Sequence, residues 1–330
     1  MLNFDENALL EKHRGALAII GDVEKAVDAA YKHGFKNVFF IGVGGATTSH
    51  MEWESILKSH SKLDFWMERA SEFITSGNSR LSKDSLVFLS SFSGDTPETI
   101  EVAECVRKKG AKIIAFMGKD ECPLSKLVDY PIVNIYGMFS FWLVVVFRLM
   151  YLRGEFPDYD EFFIELKELP EALVDVQRAA DAKSEEFARK YCNEPIHYFI
   201  GSGNMWGWTV CYSMCVLEEC FWIRAKSVHA SDFFHGTLEV IDRDTSVVLF
   251  MGEDATRPLT ERVKNFVPRI SSKFTIFDTK DYKLQGISLK YRAYLSPLVM
   301  DAVCERITMH LEDLLKHPRQ IRRYYRKLDY

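Results

Sequence analysis

The chain is 330 residues long and carries 42 Lys and Arg against 47 Asp and Glu, a net charge of −5 with histidine neutral. Hydrophobic residues make up 47% and charged residues 27%, a globular balance that excludes disordered, collagen-like and coiled-coil classes. Duplex binders cluster Lys and Arg against phosphates, so no nucleic-acid partner is expected, and a small-molecule substrate is.

At roughly 100–200 residues per domain the length suggests two domains. Seven cysteines form neither a CxxC pair nor a zinc-type spacing. They read as reduced structural thiols, with Cys211 and Cys215 sharing a helix face at i, i+4. The opening Met-Leu-Asn-Phe-Asp-Glu lacks the basic region and apolar run of a secretory signal, and the expected location is cytoplasmic. Pro131 to Phe147 is broken by Asn134, Gly137 and Ser140 and falls short of the ~20 apolar residues that span a bilayer. It reads as a buried strand, a turn and a buried helix, so no membrane partner is expected.

In chain order, Phe40-Ile41 is a strand that runs into Gly42-Val43-Gly44-Gly45-Ala46-Thr47-Thr48. That turn is a poor dinucleotide fingerprint, because its third glycine is out of place. A strand at Leu86–Leu89 follows, then the loop Ser90 to Thr96 and a helix from Pro97 to Lys109. Lys112–Phe116 is the next strand. The segment Glu155 to Asp181 is acidic but keeps helical apolar spacing at Phe162, Leu166, Leu169, Leu173 and Val176, which reads as a helical connector.

The pattern then recurs. Phe40-Ile41-Gly42-Val43-Gly44 returns as Phe199-Ile200-Gly201-Ser202-Gly203, Val87-Phe88-Leu89 as Val247-Val248-Leu249, and Lys112–Phe116 as Lys273–Phe277, at offsets of 159, 160 and 161 residues. Strands alternating with helical segments, as again at Leu259–Phe266, imply parallel sheets flanked by helices. The expected organisation is a first α/β domain over 1–155, a connector over 156–183, a second α/β domain over 184–316 and a tail over 317–330. Doubly wound sheets bind ligands at the carboxyl ends of their strands, so the loops after Ile41, Leu89, Ile200 and Leu249 are where a site belongs.

Ser91, Ser93 and Thr96, with Gly94 letting the backbone come close, can ring an anion at the start of the following helix. Simple capping by Thr96 ahead of Pro97 explains one of those hydroxyls, not three. No Lys stands in a GxxxxGK pattern, which removes a P-loop. Glu219 sits near the end of an apolar helical run that begins at Met205, where burial would raise a carboxyl's pKa and suit it to proton transfer. His235 lies between Phe234 and Gly236 at a loop or helix start. Spacing alone also accommodates Glu219 as a helix-face acid and His235 as a packed histidine.

Glu219 precedes the His235-Gly236 pair by sixteen residues. With the hydroxyl loop and the duplication, this order resembles the sugar isomerase (SIS) superfamily, whose fold is two tandem flavodoxin-like domains. Over its whole length the chain most resembles the fructosamine-6-phosphate deglycases. The matching residues are Glu219, Trp222-Ile223, Phe233-Phe234-His235-Gly236, Thr256-Arg257-Pro258-Leu259 with Glu261-Arg262, and the ending His317-Pro318, Arg322-Arg323-Tyr324, Lys327 and Tyr330. The chain departs from the family pattern at Ala46, Arg224, Asp232 and Thr237, and its loop near Tyr136 to Phe139 is short.

The resemblance implies that Glu219 and His235 are catalytic, and that Gly45, Thr47, Ser91, Ser93, Gly94 and Thr96 bind the substrate phosphate. Thr47 or Thr48 would supply the hydroxyl lost at Ala46. In the basic tail, Arg322, Arg323 and Lys327 would meet anionic substrate groups. It further implies a homodimer or higher oligomer in which His235 reaches a neighbouring subunit's site, and chemistry without metal or organic cofactor. Two other readings stay open: an aldose-ketose phosphosugar isomerase using the same pair, and a non-catalytic sugar-phosphate sensor. A complete glutamine-dependent aminotransferase is not expected, since Leu2 stands where its nucleophilic Cys would be.

Overall fold

Nine strands form in the computed structural model, which describes residues 1–329. The final Tyr330 of the family-like ending lies outside the described residues. Asn7–Pro170 form one compact unit, and Met1–Glu6 with the chain from Glu171 onward form the other. The division at Pro170 falls inside the segment read as a connector. That segment is helical at Tyr159–Glu165 and again at Leu169–Tyr191.

The first unit holds β1 (Asn37–Gly42), β2 (Phe65–Arg69), β3 (Ser85–Ser91), β4 (Lys112–Met117) and β5 (Tyr130–Val133), ordered β2-β1-β3-β4-β5. All pairings are parallel, and the order is that of flavodoxin-like sheets. Both faces are covered, which is why β1, β3 and β4 read as unbroken apolar runs. Alternate residues take opposite faces. Phe39, Ile41, Val87, Leu89 and Ile113 pack with Val102 and Val106 of the helix Pro97–Lys109. Phe40 and Phe116 turn the other way and meet Trp142 and Phe141, at 5.7 and 5.8 Å between ring centroids, on the buried helix Met138–Leu152. The turn and buried helix expected between Pro131 and Phe147 are therefore present, but the strand before them, expected to be buried, buries only Ile132 because it lies at the sheet edge.

The second unit repeats the plan with β6 (His197–Gly201), β7 (Ala225–His229), β8 (Ser246–Met251) and β9 (Phe274–Asp278), ordered β7-β6-β8-β9 and again parallel. All three repeated sequence runs fall on equivalent strands, and the equivalence extends to the backbone. Gly44, after β1, has φ 58°, ψ −125°, and Gly203, after β6, has φ 58°, ψ −133°. Both are left-handed conformations that glycine adopts at little cost. The second sheet has four strands where the first has five, and it is followed by the 27-residue helix Leu289–Leu315.

That helix is tied down by a buried charge cluster. Arg306, 1% exposed, donates to Asp181 Oδ1 at 2.8 and 2.6 Å and to the Leu2 carbonyl at 2.7 Å, and His310 Nε2 lies 2.9 Å from the same carboxylate oxygen. Burial pushes the Asp181 carboxyl up, but the His310 and Arg306 hydrogen bonds and charges outweigh it, and the net shift is below the ordinary 3.8. A carboxyl depressed in the folded state stabilises fully above its unfolded pKa, and that contribution is lost as pH falls through the folded value. Asp181→Ala is expected to cost about 3–5 kcal/mol by stranding Arg306 and to flatten the acid limb of stability below about pH 4. Urea melts across pH 3 to 7 measure both effects.

Among the described residues no helix is long and apolar enough to cross a membrane. All seven cysteines are free.

Candidate active site

In the first unit, β1 and β3 lie side by side with Ile41 registered to Leu89, so the loops that leave their carboxyl ends are neighbours. In the β3 loop, Ser91 Oγ and Thr96 Oγ1 are 2.8 Å apart, and the Gly94 N–H donates to Ser91 Oγ at 3.1 Å. Thr96 occupies the cap position of the helix Pro97–Lys109, yet its side chain makes no capping hydrogen bond. Its hydroxyl is therefore turned to Ser91 and not spent on the helix. Gly94 has φ 68°, and a Cβ there would collide with the Cys122 side chain, 2.7 Å from its Cβ. Gly94→Ala is expected to destabilise the fold by roughly 2–4 kcal/mol, combining left-handed strain with overpacking, and to weaken binding of a phosphorylated ligand. Thermal melts with and without inorganic phosphate separate the two.

In the β1 loop, Gly45 opens the short helix Gly45–Met51. The structure distinguishes the two threonines. Thr48 Oγ1 donates to the Gly45 carbonyl at 3.0 Å, whereas Thr47 Oγ1 is buried and has no hydrogen-bond partner among the described residues. A buried unpaired hydroxyl costs about 1–3 kcal/mol, so Thr47 is the one suited to meet a ligand oxygen. Ser93 is half-buried in the same region.

The equivalent cradle in the second unit is filled by the chain's own carboxylate. Asp254 Oδ2 accepts from the Asn204 N–H at 2.8 Å, and Asp254 Oδ1 accepts from the Thr256 N–H at 2.9 Å and hydroxyl at 2.6 Å. Ser202 Oγ and Thr256 Oγ1 stand 3.0 Å apart, as Ser91 and Thr96 do in the first copy. A Cβ on Gly203 would strike Asp254 and Thr256. The duplicated anion loop has thus kept its donors while an internal anion uses them.

Glu219 belongs to the second unit, on a helical run that changes pitch. Asn204–Cys211 is α-helical, Tyr212–Glu218 has π-helical hydrogen bonding, and Glu219–Phe221 closes the run as α-helix. Wide turns of this kind concentrate at functional sites. Cys215 still meets Cys211, whose hydrogen bond pulls the Cys215 thiol down against the opposing effect of burial. Trp222 ends the run at φ 60°, a conformation that costs a bulky residue of order 1–3 kcal/mol. Its ring is gripped by His317, at 4.2 Å edge-on, and by the Arg323 guanidinium, 3.9 Å from the ring centroid.

The C-terminal tail comes back onto this helix. Arg322 contacts Glu219 Oε1 through Nε at 2.9 Å and through its NH2 nitrogen at 2.8 Å. The same NH2 nitrogen lies 3.4 Å from Cys220 Sγ. Both Glu219 contacts fall on Oε1, leaving Oε2 without a hydrogen bond among the described residues. Glu218, Glu219, Trp222, Arg322, Arg323, Tyr324 and Tyr325 line a cavity of about 250 Å³. Lys327 donates to the Arg322 carbonyl at 2.5 Å. Burial pushes up the carboxyl of Glu218, the neighbour that sequence reasoning passed over, against a weaker hydrogen bond from the Ala225 N–H.

His235 is not in this lining. It stands exposed on the turn ahead of the 3-10 helix Thr237–Val240, with its N–H donating to the Asp232 carbonyl at 2.9 Å. Residues missed by sequence reasoning are Glu218 and Asp254. The Glu-Glu doublet at 218–219 was a visible signal for the first. For the second, the signal was an acid within a loop that aligns with the Ser91–Thr96 loop.

The SIS domain family model matches residues 34–153, and with the relatives below it shows that the chain belongs to the SIS-domain family of phosphosugar enzymes. The fructosamine deglycase FrlB of Bacillus subtilis (strain 168) is 30% identical over 303 residues, covering 89% of this chain and 92% of the relative. The fructoselysine 6-phosphate deglycase of Escherichia coli (strain K12) is 23% identical over 310 residues, covering 92% and 89%. A crystal structure from Bacillus subtilis, assigned as a phosphosugar isomerase, superposes with a TM-score of 0.88 at 29% identity over 94% of this chain and 99% of that one. The two-sheet α/β architecture is therefore the SIS fold.

Proposed function

We propose that the chain is a deglycase that splits a 6-phosphorylated sugar–amino acid adduct of the fructoselysine or glucoselysine type into glucose 6-phosphate and a free amino acid. The observation that carries this reading is Glu219, a carboxylate with one oxygen uncommitted among the described residues, in a cavity that the basic tail helps to line. The likeness to two deglycases over nearly the whole chain supports it.

In the open-chain fructosyl adduct, the C2 carbonyl acidifies the C1 proton. A carboxylate held within about 3 Å removes that proton and leaves an enolamine. Reprotonation at C2 yields a C1 imine. Water adds to the imine carbon, the C–N bond breaks with a proton passing to nitrogen, and the aldehyde of glucose 6-phosphate and the amine separate. The substrate's own carbonyl is the electron sink. Glu219 is the base for the C1 and C2 steps. His235 suits proton movement on the sugar oxygens, since an imidazole can both donate and accept a proton through its two ring nitrogens. Its exposure outside the Glu219 cavity favours action in the site of a second copy, within a homodimer or larger assembly. The Ser91, Ser93, Gly94 and Thr96 loop, with Thr47, would take the phosphate. The second cradle, filled by Asp254, would not, so each chain binds one phosphosugar.

A panel of 6-phosphorylated fructosyl and glucosyl amino acids tests the reading, with glucose 6-phosphate release coupled to a dehydrogenase. Release from at least one member is expected, with a stoichiometric amine. Release from fructose 6-phosphate alone, and from no adduct, would make the chain an isomerase. Silence throughout, with sugar phosphate still bound, would make it a sensor.

A further inference from the structure

We infer that Arg323, stacked on Trp222, is the subsite for the carboxylate of the departing amino acid and sets the preference for amino acids over simple amines. This rests on the deglycase reading. Of the three tail cations that the resemblance assigns to anionic substrate groups, Arg322, Arg323 and Lys327, two are already engaged. Arg322 is paired with Glu219, and the Lys327 ammonium donates to the Arg322 carbonyl. Arg323 makes neither an ion pair nor a hydrogen bond among the described residues. Among the described residues its guanidinium carbon contacts the Trp222 ring, 3.9 Å from the centroid.

The indole limits where the guanidinium can sit, and its N–H fork makes no hydrogen bond among the described residues. That fork matches a carboxylate with two parallel hydrogen bonds. The indole is itself held in place, by the left-handed backbone of Trp222 and the edge-on imidazole of His317. Pre-fixing the fork reduces what binding must spend on ordering a long side chain.

Position supports the assignment. Trp222 follows Glu219 by three residues, about one helical turn, and both line one cavity with Arg323. A group held by Arg323 therefore lies in the cavity that Glu219 also lines. The adduct carries two anions, the 6-phosphate at the far end of the sugar and the carboxylate on the amine side. The amine is bonded to C1, the carbon Glu219 deprotonates, so the anion near the base is the carboxylate.

The test uses matched substrates that differ only by the carboxylate: the fructosyl 6-phosphates of alanine and ethylamine, and of lysine and cadaverine. Wild type is expected to favour the carboxylate-bearing member of a pair by roughly tenfold or more in kcat/KM, the worth of a charge-assisted hydrogen-bond pair at a partly exposed site. Arg323→Ala should erase that preference by raising KM for the amino acid adduct, with KM for the amine adduct and both kcat values little changed. Arg323→Lys, which keeps the charge but loses the fork, should restore only part of it. A wild type without preference, or an Arg323→Ala that weakens both members equally, overturns the inference while leaving the deglycase reading intact. A wild type that releases glucose 6-phosphate from none of the four substrates or the wider panel overturns the deglycase reading and this inference with it.

Discussion

Glu219→Gln is expected to lower kcat by about 10²–10⁴-fold, the range that a positioned general base contributes, while the melting temperature stays within a degree or two. Glutamine keeps the shape of the side chain and can still meet Arg322 but cannot accept the C1 proton. The pair is partly solvated, with Glu219 33% and Arg322 21% exposed, and partly exposed ion pairs are worth ~0–1 kcal/mol. A catalytic loss without a stability loss therefore separates a base from a helix-face acid. Coupled glucose 6-phosphate release and a thermal melt on the same preparation measure both. Full turnover by the variant on every cleavable substrate would remove Glu219 from the mechanism.

Ending the chain before Arg322 should have the second-largest effect, a fall in turnover of at least ~10²-fold, the scale on which loss of a closing, positioning element acts. Little folding energy should go with it. Apart from the half-buried Arg322, residues 322–329 are exposed. The helix end is held upstream, where Arg319 pairs with Glu305 at 3.0 Å and with Glu312 at 3.6 Å. What the truncation removes is the Arg322 contact to Glu219 and the Arg323 stack on Trp222. A truncated protein that melts like wild type and retains full activity would leave the tail without a role in the reaction.

The duplication was legible because it is written in local terms. A buried parallel strand needs a β-branched and aromatic run, and the turn into the next helix needs glycine at a left-handed position, so both units carry the same marks at a near-constant offset. The helix Pro97–Lys109 was legible end to end, with Pro97 at its first turn and Gly110 at φ 81° beyond its last. The strands Phe65–Arg69 and Ala225–His229 were missed. Both lie at a sheet edge, half solvated, with polar residues such as Glu68 and Lys226 interrupting any apolar run.

The candidate site was legible only in its inventory. The hydroxyl loop, Glu219, His235 and the basic tail could all be named from residue types and their spacing. Which of them are spent on the protein itself could not. Thr47 and Thr48 are identical in sequence terms, and only the helix geometry shows that Thr48 bonds to the backbone while Thr47 is left unpaired.

By itself, then, the sequence determined two parallel α/β units with a hydroxyl-lined loop after the strand at Leu86–Leu89 and a carboxylate late in the second unit. These follow from backbone propensity and apolar periodicity, which act over a few residues. The tertiary structure alone decided that Arg322 closes on Glu219 across 103 positions, that Asp254 fills the second anion cradle, and that Arg323 packs on Trp222 without an ion pair among the described residues. Electrostatic pairing depends on distance and desolvation after folding, and neither is encoded in the identity of a charge along the chain.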